Sequence, residues 1–115
     1  MKAWVTYVVE DNEFVERLKL ALSGLNIEFN DAQTKIMPGD NIVGAIYQEI
    51  SSADVIFVIL SKFSSESQFF LTEIGIIISE KSNDPDKRIF PILIDKQVKI
   101  PSFINQYLYL DLSDL

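Results

Sequence analysis

An α/β fold, an open five-stranded parallel sheet with helices on both faces, is what three observations predict for this 115-residue chain. Short apolar runs alternate with segments whose apolar residues recur every three to four positions, the pattern of strand-helix-strand units. The runs Ala3–Val9, Val55–Leu60 and Ile89–Ile94 are apolar almost throughout rather than at every second residue, as strands covered on both faces must be. Turn signals such as Ser23-Gly24, Pro38-Gly39 and Asn83-Asp84-Pro85 separate the units.

The elements follow in order. Ala3–Val9 predicts the first strand, and Phe14, Leu18, Leu22 and Leu25 recur at helical spacing after it. Ser23-Gly24 supplies a residue suited to a left-handed cap, after which Ile27 and Phe29 alternate with polar neighbours as a short second strand. Asn30–Asp40 reads as a loop. Asp40 then caps a helix carrying Ile42, Ile46 and Ile50 on one face, and Asp54–Leu60 is the most strongly apolar strand. Ser64 or Ser65 starts the next helix, which runs through Phe69, Glu73 and Ile77 to the polar stop at 82–86. Ile89–Ile94 predicts a fourth strand, Pro101–Gln106 a short helical turn, and Tyr107–Leu112 a fifth strand. In such sheets, sites form beyond the carboxyl ends of the strands.

Composition narrows the chemistry. At 48% hydrophobic residues and a mean hydropathy of +0.17 the chain has enough apolar content for one core, so a single domain over residues 1–115 is expected, either free-standing or excised from a longer multidomain protein. The longest unbroken apolar stretch, Val55–Leu60, is far short of the roughly 20 residues of a membrane-spanning helix, which predicts a soluble, cytoplasmic protein without a membrane partner. With neither cysteine nor histidine, the usual zinc sites, cysteine nucleophiles and serine-histidine-aspartate triads are excluded, and no metal or cofactor is expected. A net charge of −7 disfavours a surface for the phosphate backbone, so direct nucleic-acid binding is not expected. Chemistry must therefore run on carboxylates, hydroxyls, amines and backbone groups.

Glu10-Asp11 after the first strand raises the possibility of a phosphorylatable receiver domain, with Lys96 as a phosphate partner. Such a domain needs a phosphoacceptor aspartate at the end of its central strand. Here that strand ends Ile59-Leu60-Ser61, with no group able to carry an aspartyl phosphate or complete a Mg2+ site.

Three separated stretches instead resemble the Toll/interleukin-1 receptor homology (TIR) domain of the bacterial type. Trp4–Val15 is similar to the family's opening strand and the aspartate that precedes its first helix. Phe29-Asn30-Asp31 through Met37-Pro38-Gly39-Asp40 resembles its BB loop, about one residue longer than common bacterial versions. Leu60-Ser61, then Ser67, Phe69 and Glu73, keep the family's spacing of leucine-serine, serine, aromatic and glutamate, with Phe69 where tryptophan is usual. Arg88–Asp95, Ile100-Pro101 and Tyr107–Leu112 are similar to its closing segments, so the resemblance covers nearly the whole chain. It implies the flavodoxin-like version of the predicted sheet.

The resemblance also implies an activity. Many bacterial and plant members cleave NAD+ at the nicotinamide glycosidic bond, with the glutamate matching Glu73 as the catalytic residue. Loss of neutral nicotinamide leaves an oxocarbenium-like ribose, which a carboxylate beside the sugar stabilises without metal or histidine. Thr72 and Glu73 interrupt an otherwise apolar segment, Phe69–Ile78, where a carboxylate is costly and a plain solvated role is disfavoured. Phe69 shares a helical face with Glu73 and is either a pocket wall or core. Trp4 matches a position often phenylalanine near the nucleotide, or is a large core residue whose face depends on register. Thr6 and Asp11 are expected to border the substrate, and Lys35 to meet a phosphate or be solvated. Val8, where serine is common, removes one possible donor.

The implied function is thus an NAD+ glycohydrolase, with linear or cyclic ADP-ribose as product, activated by self-assembly as an effector of bacterial antiviral or cell-suicide immunity. The expected partners are NAD+, other TIR domains through the BB loop around Pro38-Gly39 and the helix around Glu73, and a sensor domain or sensor protein. The alternative is a non-catalytic TIR module that acts only by TIR-TIR interaction.

Overall fold

The computed structural model describes residues 1–96, 98, 100, 102, 104 and 107–114. Five parallel strands form one sheet: β1 (Lys2–Thr6), β2 (Glu28–Asn30), β3 (Val55–Leu60), β4 (Arg88–Leu93) and β5 (Leu110–Asp111), in the order β2-β1-β3-β4-β5. The helices are α1 (Asn12–Ala21), the one-turn α2 (Ala32–Lys35), α3 (Ile42–Ser52) and α4 (Gln68–Asn83). No helix among the described residues is long and apolar enough to cross a membrane.

Strand alternation divides the core in two. Trp4, Ile56, Val58 and Leu60 point to the side covered by α3 and α4, where they meet Ile46, Ile50, Phe70, Ile74 and Ile77. Ala3, Val5, Phe57 and Ile59 point to the other side and pack with Val15 and Leu18 of α1 and with Leu22 just after it. The near-continuous apolar strands of the sequence are thus explained, since the residues of β1 after Lys2 and those of β3 are covered on whichever side they point.

Several boundaries differ from the sequence expectation, each for a local reason. β1 stops at Thr6 rather than Val9, because Val9–Asp11 form a 3-10 turn that leads into α1. The left-handed residue after α1 is Asn26, at φ 56°, not Gly24. The loop at 30–40 contains α2, whose first turn is capped by Asp31. The cap of α3 is Asn41, whose side chain accepts from the Gly44 N–H, while Asp40 accepts from the Met37 N–H and so closes the loop. Gly39 in that loop has φ +93°, which a Cβ would strain. α4 begins at Gln68 with Ser67 as cap, because Ser64–Glu66 form a separate 3-10 turn. Only Leu110–Asp111 of the expected fifth strand pair with β4. Most of the turn expected at Pro101–Gln106 lies outside the described residues.

Candidate active site

α4 carries Glu73 into the interior, where the residue is 1% exposed. Even-numbered residues of β1 face α4, so Trp4 and Thr6 reach the same place. The Trp4 indole N–H is shared between Glu73 Oε1 and Thr6 Oγ1, each at 3.1 Å. Among the described residues Glu73 forms no ion pair. Burial pushes its carboxyl up to about 8; the Trp4 hydrogen bond favours the charged form, and the charge of Asp31 opposes it. At neutral pH Glu73 therefore keeps its proton.

A cleft of about 280 Å3 lies at the start of α4, lined by Phe69, one helical turn before Glu73, and not by Glu73 itself. One wall is the stretch after β1, Tyr7–Glu10; the second is Ala32 and Gln33 of α2; the third is Ser67 and Phe69 at the start of α4. Phe69 is partly exposed and one helical turn before Glu73, so the aromatic ring lines the opening while the carboxylate lies behind it. A larger hollow of about 440 Å3, lined by Met1, Val55, Arg88 and Phe90, sits at the amino ends of the strands, away from Glu73.

The other residues singled out from sequence divide by position. Trp4 and Thr6 join Glu73, both fully buried. Asp11 is buried at the carboxyl ends of β1 and β3 and accepts the Ser61 hydroxyl at 2.5 Å. Burial, together with the charges of Asp95 and Glu10, raises its carboxyl, and the Ser61 bond partly offsets them. Lys35 is exposed and lines a separate polar hollow with Asp40, Asn41 and Gln48, so it does not join the Phe69 cleft.

Sequence reasoning missed Asp31, although it is 1% exposed. Its Oδ1 accepts the Thr34 backbone N–H at 2.9 Å, and its Oδ2 accepts the Tyr7 hydroxyl at 3.2 Å and the Lys19 ammonium at 3.1 Å. Burial opposes its charge, but Lys19 and the Thr34 bonds outweigh that and hold the carboxyl below the usual carboxylate range. The nearest signal in the sequence was the Asp31-x-x-Thr34 spacing, a capping box.

A five-stranded parallel sheet with a buried glutamate behind a cleft at its carboxyl end defines an α/β domain of the TIR class. The TIR-domain family model matches residues 4–115, and the chain belongs to that family. Among solved structures it is similar to the TIR domain of the Toll-related receptor TRR-2 from Hydra magnipapillata, at 24% identity and a TM-score of 0.79, covering 97% of this chain and 84% of that one. It is also similar to the TIR domains of the activated Roq1 resistosome, which directly recognises the pathogen effector XopQ, at 20% identity, a TM-score of 0.73, and coverage of 91% and 62%. A third likeness is to the CMP N-glycosidase BcmB of Clostridium botulinum, at 16% identity, a TM-score of 0.67, and coverage of 96% and 88%. At these identities the likeness is one of fold. No curated protein matches the sequence.

Proposed function

We propose that the domain cleaves the nicotinamide glycosidic bond of NAD+, with Glu73 as its catalytic residue. The observation that carries this reading is a carboxyl, 1% exposed and without a cationic partner among the described residues, placed behind an open cleft. Neutral in the free domain, this carboxyl has only one shared N–H to favour its ionised form, so the partner that form lacks is a positive charge supplied by substrate. The pyridinium of NAD+ brings that charge, and as the bond breaks it passes to the ribose. An ionised Glu73 then stabilises the oxocarbenium-like sugar, and nicotinamide leaves neutral without needing an acid. The family to which the chain belongs, and the likeness in fold to an N-glycosidase, support the same class of reaction.

In this reading Phe69 walls the nicotinamide side and Trp4, itself bonded to Thr6, holds the Glu73 carboxylate for the sugar, whereas Asp11 and Lys35 line no part of the cleft and are not assigned to the nucleotide. Glu73 is sealed in the isolated chain, so opening is part of the cycle. Assembly with other TIR domains, gathered by a sensor domain or protein, supplies it, and the setting is bacterial antiviral or cell-suicide immunity.

A second reading, a non-catalytic module that acts only by TIR-TIR contact, is favoured by the exposed apolar side chains Met37, Leu71 and Ile78. Nicotinamide release by concentrated protein, followed chromatographically, separates the two. The enzyme reading expects release from wild type and a loss of about 10²-fold or more in Glu73→Gln. No release from clustered wild type, or undiminished release from Glu73→Gln, overturns it.

A further inference from the structure

Two walls of the cleft are tied to each other by one side chain that does not line it. Tyr7 belongs to the segment after β1, and Ala32 and Gln33 belong to α2. Nothing in the sheet joins these segments on the cleft side, since β1 has ended at Thr6 and β2 at Asn30. Asp31 bridges them. Its Oδ1 takes the Thr34 backbone N–H at 2.9 Å and the Thr34 hydroxyl at 3.1 Å, which fixes the first turn of α2. Its Oδ2 takes the Tyr7 hydroxyl at 3.2 Å and Lys19 Nζ of α1 at 3.1 Å. A four-residue helix has too few internal hydrogen bonds to hold its own place, so these external bonds set where it stands.

We propose that Asp31 is the positioning residue of the cleft, a carboxylate clamp that fixes the distance between the Tyr7 wall and the Ala32-Gln33 wall and so sets how the nucleotide is gripped in front of Glu73. Lys19 neutralises the clamp from behind, leaving the Tyr7 hydroxyl as the contact that crosses between the walls. Tyr7 also reaches Asn12 at 3.3 Å, which holds its ring at the head of α1. The proposal rests on the NAD+-cleaving reading for its effect on substrate, while the clamp itself can be read without substrate.

Tyr7→Phe keeps the ring and removes only the hydroxyl, so it is the primary variant. Amide hydrogen exchange of residues 32–35 should speed up by on the order of tenfold, the loss of one hydrogen bond to a charged group, while exchange in α3 and in the body of α4 stays as in wild type. In nicotinamide-release assays KM for NAD+ should rise by roughly the same factor, with kcat changing less, since the chemistry at Glu73 is untouched. Asp31→Ala should show a larger version of both effects, and Asp31→Asn, whose one acceptor oxygen can serve Thr34 or Tyr7 but not both, should fall between. If Asp31→Ala fails to fold, Tyr7→Phe still decides. Unchanged exchange at 32–35 in Tyr7→Phe overturns the clamp, and faster exchange with an unchanged KM overturns its role in positioning substrate. Wild type that releases no nicotinamide refutes the NAD+ reading alone, because the exchange measurement stands independently of it.

Discussion

Trp4 Nε1 is the only neighbour described for the Glu73 carboxyl that favours its charged form, and burial outweighs it. The pH consequence has a definite sign. Between the ordinary value of 4.5 and about 8 the unfolded chain has released the Glu73 proton while the folded chain retains it, so the folded state binds more protons and stability falls as pH rises through that window. Above about 8 the loss is complete. Each unit is worth about 1.4 kcal/mol, so Glu73→Gln, which cannot ionise, should exceed wild type by about 5 kcal/mol in urea unfolding at high pH, with the gap closing toward pH 4.5. Wild type and Glu73→Gln with the same stability difference at both ends of that range would contradict the burial of an unpaired carboxyl. Activity should run the other way. In the proposed NAD+-cleaving reaction the free domain must ionise Glu73, so kcat/KM should rise through about pH 8, and bound pyridinium should draw the kcat limb to lower pH. Trp4→Phe removes the only bond named as favouring the charge and should move the kcat/KM limb upward; a limb that stays put would remove Trp4 from the site. Glu73 was legible in the sequence because a charge within Phe69–Ile78 breaks an apolar pattern. Asp31 was not, because its partners Tyr7 and Lys19 lie 24 and 12 positions away and no local pattern joins them.

At the scale of elements, the strands and α1, α3 and α4 followed from periodicity, whereas the one-turn α2 and the ends of the elements did not, because these are set by single hydrogen bonds. Ser64, Ser65 and Ser67 are equivalent as sequence signals for a helix start. What separates them is that Ser64 Oγ is occupied with Ser61, accepting its N–H at 3.1 Å and donating to its carbonyl at 3.0 Å, which folds a 3-10 turn and leaves Ser67 to accept the Phe70 N–H. The C-terminal end of α3 shows the same limit. Lys87 is 4% exposed, and its ammonium donates to the carbonyls of Ile50, Ser51 and Ala53 at 2.9, 3.0 and 2.7 Å. It thereby satisfies acceptors that the helix leaves open and places a cation at the negative end of its dipole. Nothing in the sequence pairs position 87 with 50–53. Lys87→Met keeps the apolar stem and strips the donors, so it should cost about 2 kcal/mol or more in denaturant unfolding. A loss within about 0.5 kcal/mol, the usual range for surface substitutions, would show that water replaces the ammonium there.

For the whole molecule, the architecture was readable because doubly covered strands and amphipathic helices alternate from end to end, whereas the way copies meet depends on surface that no periodicity specifies. α4 illustrates both. Its apolar residues surround most of the helix, and the structure buries Phe70, Ile74, Ile76 and Ile77 while leaving Leu71 and Ile78 about two-fifths exposed. Met37, in the loop closed by the Asp40 bond to its own N–H, is 63% exposed. If assembly opens the sealed Glu73, these are the side chains that gain burial when copies meet, and a head-to-tail contact between unlike surfaces extends into filaments when it does not close. Met37→Glu tests that without disturbing the core, because the side chain touches solvent, and it adds a charge to a chain already at −7. Folding and dilute behaviour should match wild type. Specific activity of wild type should rise with concentration or forced clustering, and Met37→Glu should flatten that rise by roughly tenfold, the effect of one desolvated charge at a contact. Wild-type specific activity that is constant from nanomolar to high micromolar protein, with light scattering reporting a monomer throughout, would mean that a single domain opens Glu73 unaided.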